Sequence, residues 1–258
     1  MKIQPETTDP DVYRLRARSR PFKRKLDEAR RALEEAGRVG SVAVAMSYGK
    51  DSIAVGALAL EVLGPVPVMH QESSYRLPGW EPVQEYFRAR TTVHTIPAKR
   101  TLEETIAWLH EVGLGYERET TYSSKTANRA KRDLGDAWCE THGINALALG
   151  LRAEESKVRK MVMRKRGLVY QLRSGQWRVQ PIGWWTVADV WALIFSRELP
   201  YPRVYDCESH GYTRENLHNT GWLTTIGARD GRIAWLRHHF PEQYRALVRE
   251  FPRVQRLS

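Results

Sequence analysis

The chain has 258 residues, with 41 Lys and Arg against 30 Asp and Glu, a net charge of +11, and two cysteines. Its length is enough to bury one α/β core with a smaller appendage, and its positive balance favours polyanionic partners, nucleotides or nucleic acid. Cys139 and Cys207 are too few for a disulfide framework and cannot fill the four positions of an iron–sulfur cluster or a structural zinc site, so no iron–sulfur cluster is expected.

Residues 1–20 pass from acidic, proline-containing sequence to a basic stretch, Arg14, Arg16, Arg18 and Arg20. Pro21 suits the first turn of a helix over 22–36, with Leu26, Ala29 and Leu33 on one face, and Gly37 is expected to end it. This N-terminal unit, 1–39, reads either as a surface helix packed on the sheet edge or as a basic arm on a nucleic-acid backbone. No run reaches transmembrane length and the first residues lack a signal-peptide core; a soluble, cytoplasmic protein without a membrane partner is expected.

Residues 41–46 form an apolar, β-branched run that predicts a buried parallel strand. Residues 47–52 are a polar loop, and 53–63 an alanine-rich buried helix. A strand, a Ser/Gly turn and a helix N-terminus make an anion site, because the first helical N–H groups lack internal partners. Gly49 permits close approach, Ser47 and Ser52 add hydroxyls, and Lys50 adds a cation. Asp51 suits a helix cap or a magnesium ligand. The common P-loop spacing is absent.

Residues 66–70 read as a second strand ending in the polar cluster Gln71, Glu72, Ser73 and Ser74, placed where open parallel sheets bind ligands. A helix over 80–90, a strand over 92–96 and a helix capped by Thr101 and Glu104, running to about 112 and closed by Gly113 and Gly115, follow. In 122–141, Lys125, Arg129 and Arg132 share one helical face, either solvated or set against substrate phosphates, while Trp138 and Cys139 face the core. The strand 144–149 delivers Gly150, Arg152, Glu155 and Arg159 to the same sheet edge as the loop. Between Arg152 and Arg173 stand eight Lys or Arg against two acids, densest at Lys160, Arg164, Lys165 and Arg166. That run is either a solvated loop or a grip on a polyanion. A hairpin pairs 168–172 with 177–180, and Thr186 with Asp189 caps a helix whose apolar face includes Val190, Trp191 and Ile194.

Three of these segments carry a resemblance. Ser47-Tyr48-Gly49-Lys50-Asp51-Ser52 resembles the PP-loop of ATP pyrophosphatases, S-G-G-x-D-S, with Tyr48 in place of a glycine. Gly150 to Arg159 resembles G-[IV]-R-x-x-[ED]-S-x-x-R, and Pro181 to Trp191 resembles P-I-x-x-W-[ST]-x-x-D-V-W followed by Leu-Pro-Tyr-Pro. Together they resemble the branch of the ATP pyrophosphatase superfamily related to phosphoadenosine phosphosulfate (PAPS) reductases, the second segment being similar also to ATP sulfurylase small subunits. The stretch after the second strand matches D-T-G-x-x-F-P-E-T only loosely, with Gln71 and Glu72 for Asp-Thr. The resemblance covers residues 41–205.

It implies a doubly wound, mostly parallel α/β sheet of Rossmann-like type. Residues 40–205 form the nucleotide-binding domain, and 206–258 a small, aromatic-rich helical subdomain. It further implies ATP held by Ser47, Tyr48, Gly49, Lys50, Asp51, Ser52, Glu72, Gly150, Arg152 and Arg159. Lys50, Asp51 and Arg152 would be catalytic, with Mg2+ on Asp51. Within this branch the chain resembles the ATP pyrophosphatases of DNA phosphorothioation, which implies adenylation of an oxygen of the DNA backbone with release of pyrophosphate. Lys125, Arg129, Arg132, Lys160, Arg164 and Lys165 would contact the DNA, and a cysteine desulfurase or another sulfur-transfer protein would be a partner. Cys139 or Cys207 is a persulfide relay or a buried inert thiol. The absence of the terminal cysteine of PAPS reductases argues against sulfate reduction. A sulfonucleotide reductase, an FAD-synthetase-like adenylyltransferase and a non-catalytic nucleotide- or DNA-binding module are the alternatives. No general base is identifiable.

Overall fold

The computed structural model describes residues 9–112, 124–219, 222–223 and 231–257, with side chains over 9–111, 133–219, 222–223 and 231–256. Two helices precede the first strand: α1 (Pro10–Arg18) and α2 (Arg20–Val39). Asp9 caps α1 by accepting the Asp11 N–H, and Ser19 ends α1 and caps α2 by accepting the N–H of Phe22 at 3.3 Å. The sequence reading expected only a basic stretch where α1 lies. What holds α1 is tertiary: Tyr13 is buried and stacks on Phe195 at 5.6 Å between centroids. Arg16 and Lys25 converge on Asp189, which is 1% exposed, at 2.7 and 2.5 Å. Gly37 does not end α2. A Cβ there would lie 2.9 Å from Leu63 Cδ2, so this glycine lets the next helix approach closely.

Then follow β1 (Val42–Met46), α3 (Lys50–Leu63), β2 (Val68–Gln71), α4 (Glu81–Arg88), β3 (Val93–Ile96), α5 (Leu102–Val112), α6 (Ser124–Thr141) and β4 (Ala146–Ala148). After β4 come α7 (Lys157–Arg166), β5 (Val169–Gln171), β6 (Trp177–Val179), α8 (Val187–Ser196), α9 (Arg232–His239) and α10 (Pro241–Glu250). The six strands are ordered β3-β2-β1-β4-β6-β5, all parallel except for β5 against β6. Val44 pairs with both Val68 and Ala148, so β1 is central. From β1 the connections run outward in opposite directions, to β2 and to β4. That makes the β1–β4 carboxyl edge the switch point where such sheets bind ligands.

Both faces of the sheet are covered, which is why its central strands read as continuous apolar runs. Val42, Val44, Met46 and Val68 pack into the main core with α2, α3 and α8, while Ala43, Met69 and Leu147 meet Trp138 and Cys139 of α6 on the other face. Trp222, Trp235, Phe240 and Phe251 belong to the same main core as β1, and Tyr244 packs against it, so the helical C-terminal region shares one core with the sheet. The capping boxes expected at Thr101/Glu104 and Thr186/Asp189 both form. The basic run after Arg152, open between a loop and an anion grip in the sequence, is the helix α7. Gly113 and Gly115 lie outside the described residues.

Candidate functional site

At the end of β1 the chain turns through Ser47, Tyr48 and Gly49, and α3 begins at Lys50, three residues earlier than the apolar pattern indicated. The turn is held by hydroxyls. Ser52 Oγ accepts the Ser47 N–H at 3.2 Å, donates to the Gly49 carbonyl at 2.9 Å and sits 3.2 Å from Ser47 Oγ. Tyr48 takes φ +54, a left-handed conformation unusual for a non-glycine residue. That explains why the related loops carry glycine there. Here a fully buried ring holds the strained residue: Tyr48 stacks on Trp80 at 5.2 Å and lies 4.3 Å from His70. Its side chain is therefore part of the packing, and its backbone alone shapes the loop.

Lys50 is 1% exposed; its ammonium lies 3.1 Å from Asp51 and 5.6 Å from the centre of the Tyr205 ring. Asp51 pairs through its other oxygen with Arg152 Nε at 2.6 Å. Arg152, 4% exposed, also reaches Glu154 through Nη1, and its Nη2 is 3.9 Å from Glu155. Burial opposes the charge of Arg152, but the three carboxylates, Asp51 foremost, hold its pKa above the ordinary arginine value. Glu155 in turn pairs with Arg159. Lys50, Asp51, Arg152, Glu155 and Arg159 thus form one chain of alternating charge from the loop to α7.

Gly150 packs against the phosphate loop itself. A Cβ there would lie 2.8 Å from Asp51 C and Ser52 N, so its bare backbone accommodates the first turn of α3. Two residues that the sequence did not single out complete the loop. The Tyr205 hydroxyl accepts the Lys50 N–H at 3.2 Å and the Asn219 backbone N–H, and Asn219 Nδ2 donates to the Tyr48 carbonyl at 3.2 Å. Burial pushes the Tyr205 phenol well above its usual range. His218, beside Asn219, is within electrostatic reach of Lys50, Asp51 and Glu155. Neither Tyr205 nor Asn219 stands in a recognisable pattern; only the return of the chain over the sheet brings them there.

Glu72 lies apart from this cluster. It is exposed at a cleft of about 470 Å3 at the ends of β2 and β3, lined also by His70, Arg76, Trp80, Arg100 and Thr101. His70 is fully buried and its Nδ1 lies 2.8 Å from the Met46 carbonyl, which can only accept. Nδ1 therefore carries the hydrogen, and burial lowers the pKa to about 4, so the ring is neutral. Arg76 lies 4.8 Å from the Trp80 ring centroid. Lys160, Arg164 and Lys165 are exposed on α7. Lys125, Arg129 and Arg132 fall on α6, but their side chains lie outside the described residues. Cys139 and Cys207 are both buried, and burial pushes the Cys139 thiol up to about 11 and Cys207 in the same direction. Among the described residues no three His, Cys, Asp or Glu are grouped to hold a metal, and no helix is long and apolar enough to cross a membrane.

The chain belongs to the phosphoadenosine phosphosulfate reductase domain family, whose model matches residues 41–230, and with it to the PP-loop superfamily of enzymes that use adenine nucleotides. A search of curated protein sequences gives no significant match. The fold is shared with PAPS reductase from Candida auris, solved as a phosphate complex, at 17% identity and a TM-score of 0.54, covering 77% of this chain and 90% of that one. It is shared with the U34-tRNA thiolase NcsA from Methanococcus maripaludis, solved with its [4Fe-4S] cluster, at 15% identity and 0.53, covering 91% and 80%. It is also shared with Candida glabrata FMN adenylyltransferase in complex with FAD and inorganic pyrophosphate, at 12% and 0.51, covering 76% and 65%.

Proposed function

We propose that this chain is an ATP pyrophosphatase that adenylates an oxygen of the DNA backbone in preparation for sulfur insertion. The observation that carries the reading is the serine-bounded turn at the β1–β4 switch point, with Lys50, Asp51 and Arg152 within one ion-paired cluster. In the proposed step the substrate oxygen forms a bond to the α-phosphorus while the bond from that phosphorus to the β-bridging oxygen breaks. Adenylate stays on the substrate and pyrophosphate leaves. Ser47, Gly49 and Ser52 shape the cradle for the β- and γ-phosphates. Lys50 and Arg152 supply positive charge where negative charge develops on the leaving group. Asp51 is a hard oxygen donor in the first turn of α3, 16% exposed, and fits a magnesium ion shared with the phosphates. Mg2+ bound there would supply charge neutralisation.

The excess of 41 basic over 30 acidic residues supports a polyanionic substrate. The two buried thiols are protonated at neutral pH, which favours sulfur delivery by a separate protein such as a cysteine desulfurase over a relay on this chain. A cytoplasmic setting accords with that partner. The test is release of pyrophosphate from ATP together with transfer of labelled adenylate to DNA, run with and without DNA, with Lys50→Ala and Ser47→Ala as controls. Pyrophosphate release that both variants abolish is expected. Release of the terminal phosphate alone, or transfer of adenylate to FMN in preference to DNA, overturns the reading.

A further inference from the structure

Helix α7 is unusual in two ways. It contains no acidic residue, and among the described residues Lys157, Lys160, Arg164 and Lys165 have no ion pair. It also carries two of the four large apolar side chains that are strongly exposed among the described residues, Val158 and Met161, each at 63%. Crowded cations repel one another, and Lys157 and Arg159 in the first turn oppose the helix dipole. Intrahelical stability therefore does not explain the first feature, and burial does not explain the second.

The helical wheel shows how the two features combine. At about 100° per residue, the buried Met163 and the half-buried Arg159 and Val162 face the body of the protein. Met161 stands near the middle of the opposite arc. Lys157 and Arg164 lie about 40° and 60° to one side of it, and Lys165 and Val158 about 40° and 60° to the other. Cations thus flank an apolar centre, along a groove of about 490 Å3 lined by Lys157, Lys160, Met161, Arg164 and Lys165. A ten-residue helix is about 15 Å long, and the major groove of B-DNA, roughly 12 Å wide, admits a helix with a phosphate backbone on each side. An anionic membrane would call for a broader apolar face than one valine and one methionine.

We propose that the Met161-centred face of α7 docks duplex DNA, with the cations on its flanks reaching the two backbones and Met161 and Val158 meeting the groove edge. The proposal rests on the reading that DNA is the substrate. It places the duplex beside the phosphate loop, because Arg159, Glu155, Arg152 and Asp51 link the start of α7 to that loop in one ion-paired chain.

The experiment uses the full chain without nucleotide and a fluorescently labelled duplex, with anisotropy titrations between about 50 and 200 mM salt. The Lys157→Ala/Lys165→Ala variant should give a salt slope shallower by about 1.8, so that affinity falls about twelve-fold less across that range. Met161→Glu should weaken binding although no lysine or arginine is lost. Lys23→Ala/Arg24→Ala, which removes the same charge from the exposed side of α2, should leave the isotherm unchanged. Equal isotherms for the α7 variants and wild type, or equal losses in the α7 and α2 variants, overturn the proposal, as does binding to phosphatidylserine vesicles but not to the duplex. ATP binding without DNA, lost in Lys50→Ala, is a separate readout, so failure of docking is distinguishable from failure of the nucleotide site.

Discussion

Gly150→Ala separates two explanations of one motif residue. If the glycine exists to let the nucleotide approach, an added methyl should weaken ATP binding and leave the fold alone. The structure gives it another neighbour: a Cβ at 150 would sit 2.8 Å from Asp51 C and Ser52 N and 2.9 Å from the Asp51 carbonyl oxygen. All three atoms are backbone in the first turn of α3, so no side chain can rotate away. β4 must part from α3, or the turn must shift, and overpacking of this kind costs about 1–3 kcal/mol. For a chain of this size each kcal/mol moves the melting temperature by about 2–4 °C, so a fall of about 2–12 °C is expected. Thermal unfolding without ligand is the assay, followed by ATP titration of the folded variant. An unchanged melting temperature together with weakened ATP binding would refute the packing explanation and restore the nucleotide one.

Tyr205→Phe removes the hydroxyl that accepts the Lys50 and Asn219 N–H groups, and leaving buried donors unpaired should lower stability by about 1–3 kcal/mol in urea unfolding with an unchanged m-value. A stability equal to wild type would show that these donors find other partners. His70 gives a pH dependence. Unfolded, its imidazole takes a proton near 6.5; folded, burial lowers that to about 4. The stability from keeping it neutral is complete above 6.5 and is lost as pH falls towards 4, about 3 kcal/mol over the window. His70→Phe should flatten the stability profile between those limits, and an unaltered slope would mean that the ring is already protonated there.

Much of the frame was legible because local pattern and tertiary role agree. The apolar runs of β1 and β4 read as buried parallel strands, and two faces of helices cover them. The capping boxes at Thr101 and Thr186 fixed two helix starts, since side chain and backbone satisfy each other within four residues. Misreadings occurred where a distant neighbour decided. Gly37 has the sequence signature of a helix end, but it is there for contact with Leu63. Helix α1 has no strong apolar face and is held by Asp189 and Phe195, more than 160 residues away. In the candidate site, Ser47 to Ser52 and Arg152 could be placed by spacing from a strand end. Tyr205 and Asn219 could not, because their contacts with the loop span more than 150 residues.

The charge arrangement of the site constrains any nucleotide mechanism. Lys50, Arg152 and Arg159 are matched by Asp51, Glu154 and Glu155, three against three, so the cluster is neutral as it stands. A triphosphate entering it meets no uncommitted arginine, because both guanidinium groups are held by carboxylates of this chain. Attraction of about 4 kcal/mol for a close pair near a protein surface means that Arg152 leaves Asp51 only for a partner of at least equal charge. In the proposed reaction the phosphates would be such a partner, and Asp51 would then be free to hold Mg2+. Glu154 extends the cluster outward, since the oxygen that meets Arg152 also accepts the Val187 N–H at 2.8 Å, in the first turn of α8. One arginine and two acids thus link the loop by direct contact to the first turn of α8, whose Asp189 pairs with Arg16 of α1 and Lys25 of α2.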